Sequence, residues 1–505
     1  MSPAEQFPGL DAKWRVYRTP DFELFSRASE GGSRNLLRNL EVMRAVFFQF
    51  LELSPRDPTE VSIYFFKSGS HFQAYASPDY HLGKDYYLIG EYRKFPDRDV
   101  ITLSPEEGLE ASRWIVYSNL ARSLLLTTGG RGPSWLRQGL GMFFGTFDCS
   151  GDRVLLGEPD ALRRRLVSEN PTMDVEQLFV VEEGLSAVPA QDATNLFHAK
   201  SWVLLHYWYC GQTEVPLTAV NRFVRFVLDP RHADDPAQVR AAFQDAFKMD
   251  YAEMNRRVAR YMRKGRFTAK RLPFPTVAAA DTYPVRALDP TEMRERLAEL
   301  LLRTRRDPAA KFVLLDAMHG PRAARAAEAL GNEAAGDRDD RLAQDYWMRA
   351  IDAGTTNSAV LSLVARMEFA RWFANFDYYF RLSANKTAEL RELLARCIAQ
   401  APDHLEYYEM LAWIESAAPE PFIPNVNLVQ VKFPSLSNPA RTLVPLALIR
   451  ARVGDRVAAK NLLAEIDRAS PGKDIAEVVK SIQLIMERED DLASPAADRP
   501  QDAPR

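Results

Sequence analysis

The sequence predicts an α+β fold: a small sheet with helices comes first, and an all-α region follows. Three observations predict it. β-type patterns fall mostly before residue 160, as in the residues alternating about Thr19-Pro20-Asp21 and in the apolar run Val61–Phe66. Apolar residues at helical spacing dominate from residue 106 onward. A stretch holding Pro273, Pro275, Pro284 and Pro290 then separates the mixed part from one that is Ala-, Leu- and Arg-rich.

In order, residues 14–28 read as a hairpin about the Thr-Pro-Asp turn. Leu36, Leu37, Leu40, Met43, Phe47 and Phe50 mark a helix over 32–53, which Ser54-Pro55 and Pro58 end. Val61–Phe66 reads as a central strand and His71–Ala76 as a short helix. Tyr86–Tyr92 and Val100–Leu103 read as two strands around the Phe95-Pro96-Asp97 turn, with Val100–Leu103 expected at the sheet edge. A helix over 106–126, a Gly-rich connection at 129–133 and a helix over 134–145 follow. A hairpin then pairs Thr146–Cys149 with Arg153–Leu156. Loop and short helix fill 157–195, and four helical stretches near 196–210, 216–228, 236–247 and 250–265 complete this part.

The proposed division is therefore a first domain over 12–266, a Pro/Ala linker over 267–290, a helical domain over 291–487 and a disordered acidic tail over 488–505. In the helical part, three windows share one spacing: Ala343/Trp347/Ala350, Leu390/Leu394/Cys397 and Ala459/Leu463/Ile466. Pro402 and Pro471 follow the last two by five residues. This resembles the second helix of a tetratricopeptide repeat, and residues 415–440 interrupt it.

Composition narrows the function. The 505 residues are 46 % hydrophobic and 26 % charged, enough to bury a sizeable core. A formal net charge of −3 gives no support for nucleic-acid binding, although a local patch is compatible with it. Three cysteines, Cys149, Cys210 and Cys397, are widely spaced and odd in number, so no disulfide framework or CxxC metal site is expected. No run reaches the ~18 apolar residues of a membrane span. No signal-peptide pattern opens the sequence, and the compartment is left open.

The stretch Trp114–Gly157 carries the sharpest signal. Leu124-Leu125 ends its first helix, and Trp135-Leu136-Arg137-Gln138-Gly139 opens its second, with Phe143 and Phe144 four and five residues on. The Gly151-Asp152 hairpin, Leu156-Gly157-Glu158-Pro159, Ser201-Trp202 with His206-Tyr207, and Ala242-Phe243 through Tyr261 complete the pattern. Over residues 12 to 266 this resembles the peptidase MA-like bacterial family of gluzincin zinc peptidases, whose members often carry helical repeats and are often exported. That resemblance implies an H-E-x-x-H helix, whose histidines bind zinc and whose Glu acts on water, and a third ligand Glu in W-L-x-E-G.

Counting back from Leu124-Leu125, Ser118 and Arg122 stand at the two histidine positions, Asn119 at the general-base position and Gln138 at the third ligand. Serine is a poor ligand unless ionised, arginine cannot deprotonate, and Asn cannot take a proton from water. Zinc is therefore not expected, nor any other cofactor. The chain reads as a catalytically inactive metallopeptidase-like protein that binds a protein or peptide partner through its cleft and repeats. Two alternatives stay open: a hydrolase using a non-standard site in the same cleft, and a pure scaffold acting through the repeats. Ser118 as a nucleophile lacks a His-Asp relay or a G-x-S-x-G elbow. Trp135, His206 and Tyr207 are candidate cleft residues. For His206 a satisfied position in the core competes with a cleft role.

Overall fold

Both faces of the early strands are apolar, and this decides the architecture. The strands are β1 (Arg15–Arg18), β2 (Phe22–Ser26), β3 (Val61–Phe65), β4 (Gly90–Lys94), β5 (Asp99–Leu103), β6 (Asp148–Ser150), β7 (Arg153–Leu156), β8 (Lys270–Pro273) and β9 (Val285–Ala287). Six of them form one mixed sheet in the order β4-β5-β3-β2-β1-β9, and three form a second, β6-β7-β8. β2, β3 and β5 run parallel to one another, and β1, β4 and β9 are antiparallel to their neighbours. The computed structural model describes residues 7–10, 12–55, 60–77, 90–104, 109–128, 132–150, 153–159, 161–180, 191–229, 235–305, 307–374, 381–432, 439–469 and 480–486.

The fold is α+β and mostly helical. The expected hairpin, the central strand and the short helix 71–76 all form. The edge position of Val100–Leu103 does not hold. β5 lies between β4 and β3, because the turn after Lys94 brings β4 back along its other side. Every residue of β5 is buried, as expected for an interior strand. Residues 86–89 of the strand read over Tyr86–Tyr92 lie outside the described residues, as do residues 129–131 of the Gly-rich connection and the tail 488–505.

Strand alternation sends Leu24, Ile63 and Ile101 to one face of the sheet. There they pack with Leu40, Met43 and Phe47 of α1 (Glu30–Leu51). Phe25, Tyr64 and Val100 point to the other face, where they meet Met293, Leu297 and Leu301. Those three belong to α11 (Pro290–Arg305), the first helix after the Pro-rich stretch. Leu314 of α12 (Pro308–Ala317) and Leu330 of α13 (Ala323–Gly336) complete that layer. The stretch read as a linker carries β8 and β9, each paired into a sheet. The chain accordingly divides into the compact units Met1–Val360 and Leu361–Arg505.

A buried ionic network ties α11 and α13 to the β4–β5 turn. Asp97 and Arg98 are wholly buried. Arg303 grips Asp97 through two hydrogen bonds of 2.8 and 2.6 Å. Arg98 reaches Asp97 at 2.8 Å, Glu60 at 3.0 Å, and Glu328. Glu299 accepts from Arg303 and Arg325, each at 3.1 Å. Asn357 donates to the Asp97 carbonyl at 2.9 Å. Burial works to raise the Asp97 and Glu299 carboxyls, but the surrounding guanidinium groups outweigh it and hold both below the ordinary carboxylate value.

In the second unit, Leu390, Leu394 and Cys397 are buried on α16 (Ala384–Gln400), and Ala459, Leu463 and Ile466 on α20 (Arg456–Ala469). Ala343, Trp347 and Ala350 are likewise the buried face of α14 (Asp340–Asp352), in the first unit. The interrupting segment holds a further helix, α18 (Ile423–Lys432). The buried Glu415 pins its start by accepting from Phe422 N and Asn425 Nδ2, both at 2.7 Å, while Arg391 clamps the same carboxylate.

Candidate functional site

Ser118, Arg122 and Gln138, which the resemblance aligned with a zinc motif, lie where two helices press together. α3 (Leu109–Leu126) places Trp114, Ser118 and Arg122 on one face by their four-residue spacing. α4 (Ser134–Gly145) places Gln138, Gly141 and Gly145 on one face by spacings of three and four. The two faces meet at glycine. A Cβ added to Gly141 would lie 2.6 Å from Arg122 Nε and 3.1 Å from the Ser118 carbonyl oxygen. At Gly145 it would lie 2.8 Å from Trp114 Nε1 and 3.1 Å from Ser118 Cβ. On the other side of α4, a Cβ on Gly139 would lie 2.8 Å from the Ser201 carbonyl of α7 (Gln191–His206). The glycines therefore let α4 approach both neighbours to backbone contact.

The structure thus brings Ser118 and Arg122 onto the α4 face that carries Gln138. Their chemistry turns inward. Ser118 Oγ donates to the Ile115 carbonyl at 3.1 Å, and Asn119 Nδ2 donates to the same carbonyl at 2.9 Å. Arg122 Nη1 donates to Asn119 Oδ1 at 3.0 Å. A second cation, Arg163 from α5 (Ala161–Glu169), stands 4.6 Å over the Trp114 ring. Burial, then the neighbouring Arg122 charge, lowers its guanidinium to about 10. Two guanidinium groups, a hydroxyl and two amides do not fit zinc, which takes imidazole, thiolate or carboxylate donors. Among the described residues, no group of three or more His, Cys, Asp or Glu is placed to hold a metal ion.

The three candidate cleft residues do not share a cleft. Trp135 stacks on Phe179 with ring centroids 4.5 Å apart, and lines an apolar groove with Phe179, Val180, Val227, Val239 and Tyr251. Phe179 and Val180 come from α6 (Val175–Val180). Arg240 and Glu176 pair at the rim of this groove. Tyr207 lines a different, polar groove with Glu214, Glu253, Arg257 and Tyr261. His206 is wholly buried, and Tyr261 OH meets its Nδ1 at 2.9 Å. Trp202, Tyr261 and Phe267 surround its ring at 4.9–5.9 Å. Burial pushes the imidazole down to about 4, so it is neutral at pH 7.

Two features escaped the sequence reading. The glycines at 139, 141 and 145 carried a visible signal: three glycines in seven residues of a helix imply close approach. The Asp97–Arg98 network carried none, since Arg303 and Glu328, two of its partners, lie more than 200 residues away.

No protein-family model and no curated protein matches this chain.

Proposed function

We propose that this chain is a non-hydrolytic relative of the gluzincin scaffold that works by binding a protein or peptide. One observation carries the reading: Ser118, Asn119, Arg122 and Gln138, the residues that the resemblance aligns with zinc chemistry, lie on two helices in glycine-mediated contact, and none of the four is an ordinary zinc donor or a base. Ser118 and Asn119 are engaged by their own helix, which supports a structural use of these polar groups. The groove floored by Trp135, Phe179 and Tyr251 would accept an apolar side chain of a bound peptide without help from a metal. Within the second unit, the buried windows on α16 and α20 support a tetratricopeptide-like pairing of helices, which would add a partner surface.

Elemental analysis of the purified full-length protein, before and after chelation, tests this together with casein and peptide-library cleavage. Substoichiometric zinc and no cleavage are expected. Stoichiometric zinc, lost on chelation together with cleavage, overturns the reading. The combined variant Ser118→His, Asn119→Glu, Arg122→His and Gln138→Glu is expected to gain zinc binding. That result checks the register independently of the native function.

A further inference from the structure

Between Glu253 and Asp281 the chain has no acidic residue and eight basic ones. This segment forms the end of α10 (Tyr251–Lys264), the Gly265 cap and β8. The buried face of α10 is apolar, with Tyr251, Met254, Val258 and Met262. The solvent face is basic. Arg256 and Arg257 pair with Glu253, and Arg257 also with Glu214. Arg260, Arg263, Lys264, Arg266, Lys270 and Arg271 make no ion pair with any described residue. Five of these six are exposed, and Lys270 is half-buried.

The fold does not require this arrangement. The helix dipole rewards cations only in the last turn, which accounts for Arg263 and Lys264. Arg260 with Lys264, four apart on one face, repel one another. An ordinary solvated helix face mixes both signs, and the chain as a whole has a formal charge of −3. A concentration of one sign, six of whose cations pair with no carboxylate among the described residues, matches an anionic partner.

We propose that this face, α10 with β8, docks an acidic polypeptide segment. Charge complementarity requires the anion, and three details select polypeptide. None of the large apolar side chains that the described residues expose falls between 254 and 280, so nothing is offered to the interior of a bilayer. Tyr261 and Phe267, the aromatics of the patch, are packed against one another and against His206, and are not free platforms for bases. The groove of about 240 Å³ at the foot of the patch sets Glu214 and Glu253 beside Arg257, Arg260 and Lys264. Those carboxylates repel a continuous phosphate backbone but suit a chain that carries both signs. Arginine forks also favour bidentate pairing with carboxylates. The inference is independent of whether the α3–α4 pair is inactive.

Fluorescence anisotropy of the full-length protein with a labelled 16-residue Glu/Asp-rich peptide, in 50 and 300 mM NaCl, tests it. A Gln/Ser peptide, a 20-nucleotide single strand and vesicles containing 30 % phosphatidylserine serve as comparators. Binding of the acidic peptide is expected to exceed that of each comparator and to weaken about tenfold or more at the higher salt. The exposed triple variant Arg263→Glu, Lys264→Glu and Arg266→Glu is expected to weaken it about tenfold or more, with an unchanged circular dichroism spectrum. Arg266→Gln with Arg271→Gln, a milder pair, is expected to give a smaller loss in the same direction. Reversing Arg164 and Arg165, exposed on α5, is expected to change binding by less than about twofold. The proposal is overturned if the acidic peptide does not bind, if the charge reversals on α10 leave binding intact, or if the oligonucleotide or the vesicles bind more tightly than the peptide.

Discussion

At the α3–α4 contact, polar side chains bond within about one turn of their own helix: Ser118 and Asn119 to Ile115, and Arg122 to Asn119. At the β4–β5 turn they bond across the fold. Arg303 reaches Asp97 over 206 residues, and Arg98 reaches Glu328 over 230. Glycine sets the first contact, and charge sets the second. Polar groups that bond within their own helix leave more of the packing of two helices to shape. Charges that also reach distant partners make remote segments one unit. The second region therefore helps to define the extent of the first compact unit, and the first region is set by the shape of two helices.

The sharpest way to break this comparison is truncation. A chain ending at residue 266 loses α11 and α13, which supply the Arg303, Glu299 and Glu328 partners of Asp97 and Arg98 and one whole apolar layer of the sheet. It is expected to give no cooperative thermal transition by circular dichroism. A chain ending at residue 360 keeps both and is expected to unfold cooperatively. Equal behaviour of the two would show that the network does not define the unit.

Arg98→Met comes next. It leaves Asp97 and Glu328 buried with one cation fewer, which costs about 3–5 kcal/mol when a buried pair is broken. The denaturant midpoint at pH 7 measures it. A loss below ~1 kcal/mol would place the network with ordinary surface pairs.

The pH axis separates the two regions. His206, beside Phe143 of α4, titrates near 4 in the fold and ~6.5 when unfolded. Its folded value is depressed, so the unfolded chain takes up the proton first. Stability is full above ~6.5 and is lost as pH falls to about 4, by ~3 kcal/mol. Glu23 of β2, joined to the network through Arg325 at 3.4 Å, acts lower. Burial works to raise Glu23, but Arg296, Arg325 and Arg18 outweigh it and bring the carboxyl down to about 2. Its contribution is therefore full above ~4.5 and fades toward pH 2. In His206→Phe, whose ring suits the same aromatic surroundings, the upper slope should vanish while the lower one stays. Urea melts at intervals between pH 8 and 3 check this.

Gly139→Ala is expected to cost about 1–3 kcal/mol. Its Cβ meets a backbone carbonyl, Ser201 O at 2.8 Å, which cannot turn aside. A neutral result would mean that α4 and α7 slide freely and that shape does not set this contact.

Local signals made much of this legible. The helices 32–53 and 134–145, the hairpin at β1–β2 and the strand Val61–Phe66 each rest on spacing within about twenty residues. Four-residue spacing put Ser118 and Arg122 on one face of α3, and only the resemblance set that face against Gln138. Val100–Leu103 was misplaced because an apolar run says that a strand is buried but not which neighbours bury it. The Pro-rich stretch looked like a linker because two short, exposed strands, β8 and β9, carry no apolar alternation. Their partners, β7 and β1, are more than 100 residues away in sequence. The Asp97-Arg98 pair reads as a turn until Arg303 and Glu328 arrive.

Ser118→Ala should have the smallest effect, and it bears most directly on chemistry. The Ser118 hydroxyl is buried and donates to the Ile115 carbonyl. Its removal gives up one hydrogen bond, worth about 1 kcal/mol net. Alanine returns a few tenths through its higher helix propensity, and Ile115 keeps the Asn119 amide as a donor. The Ser118 Cβ, which alanine retains, is the Ser118 atom that packs toward Gly145, so the helix contact survives. The net change is expected to stay below ~1 kcal/mol in a denaturant melt. A nucleophile behaves otherwise. If any hydrolysis by the wild type is detected with a chromogenic ester or peptide panel, Ser118→Ala should leave its rate unchanged. Loss of that rate without loss of stability would turn the α3–α4 contact from a packed helix pair into an active site.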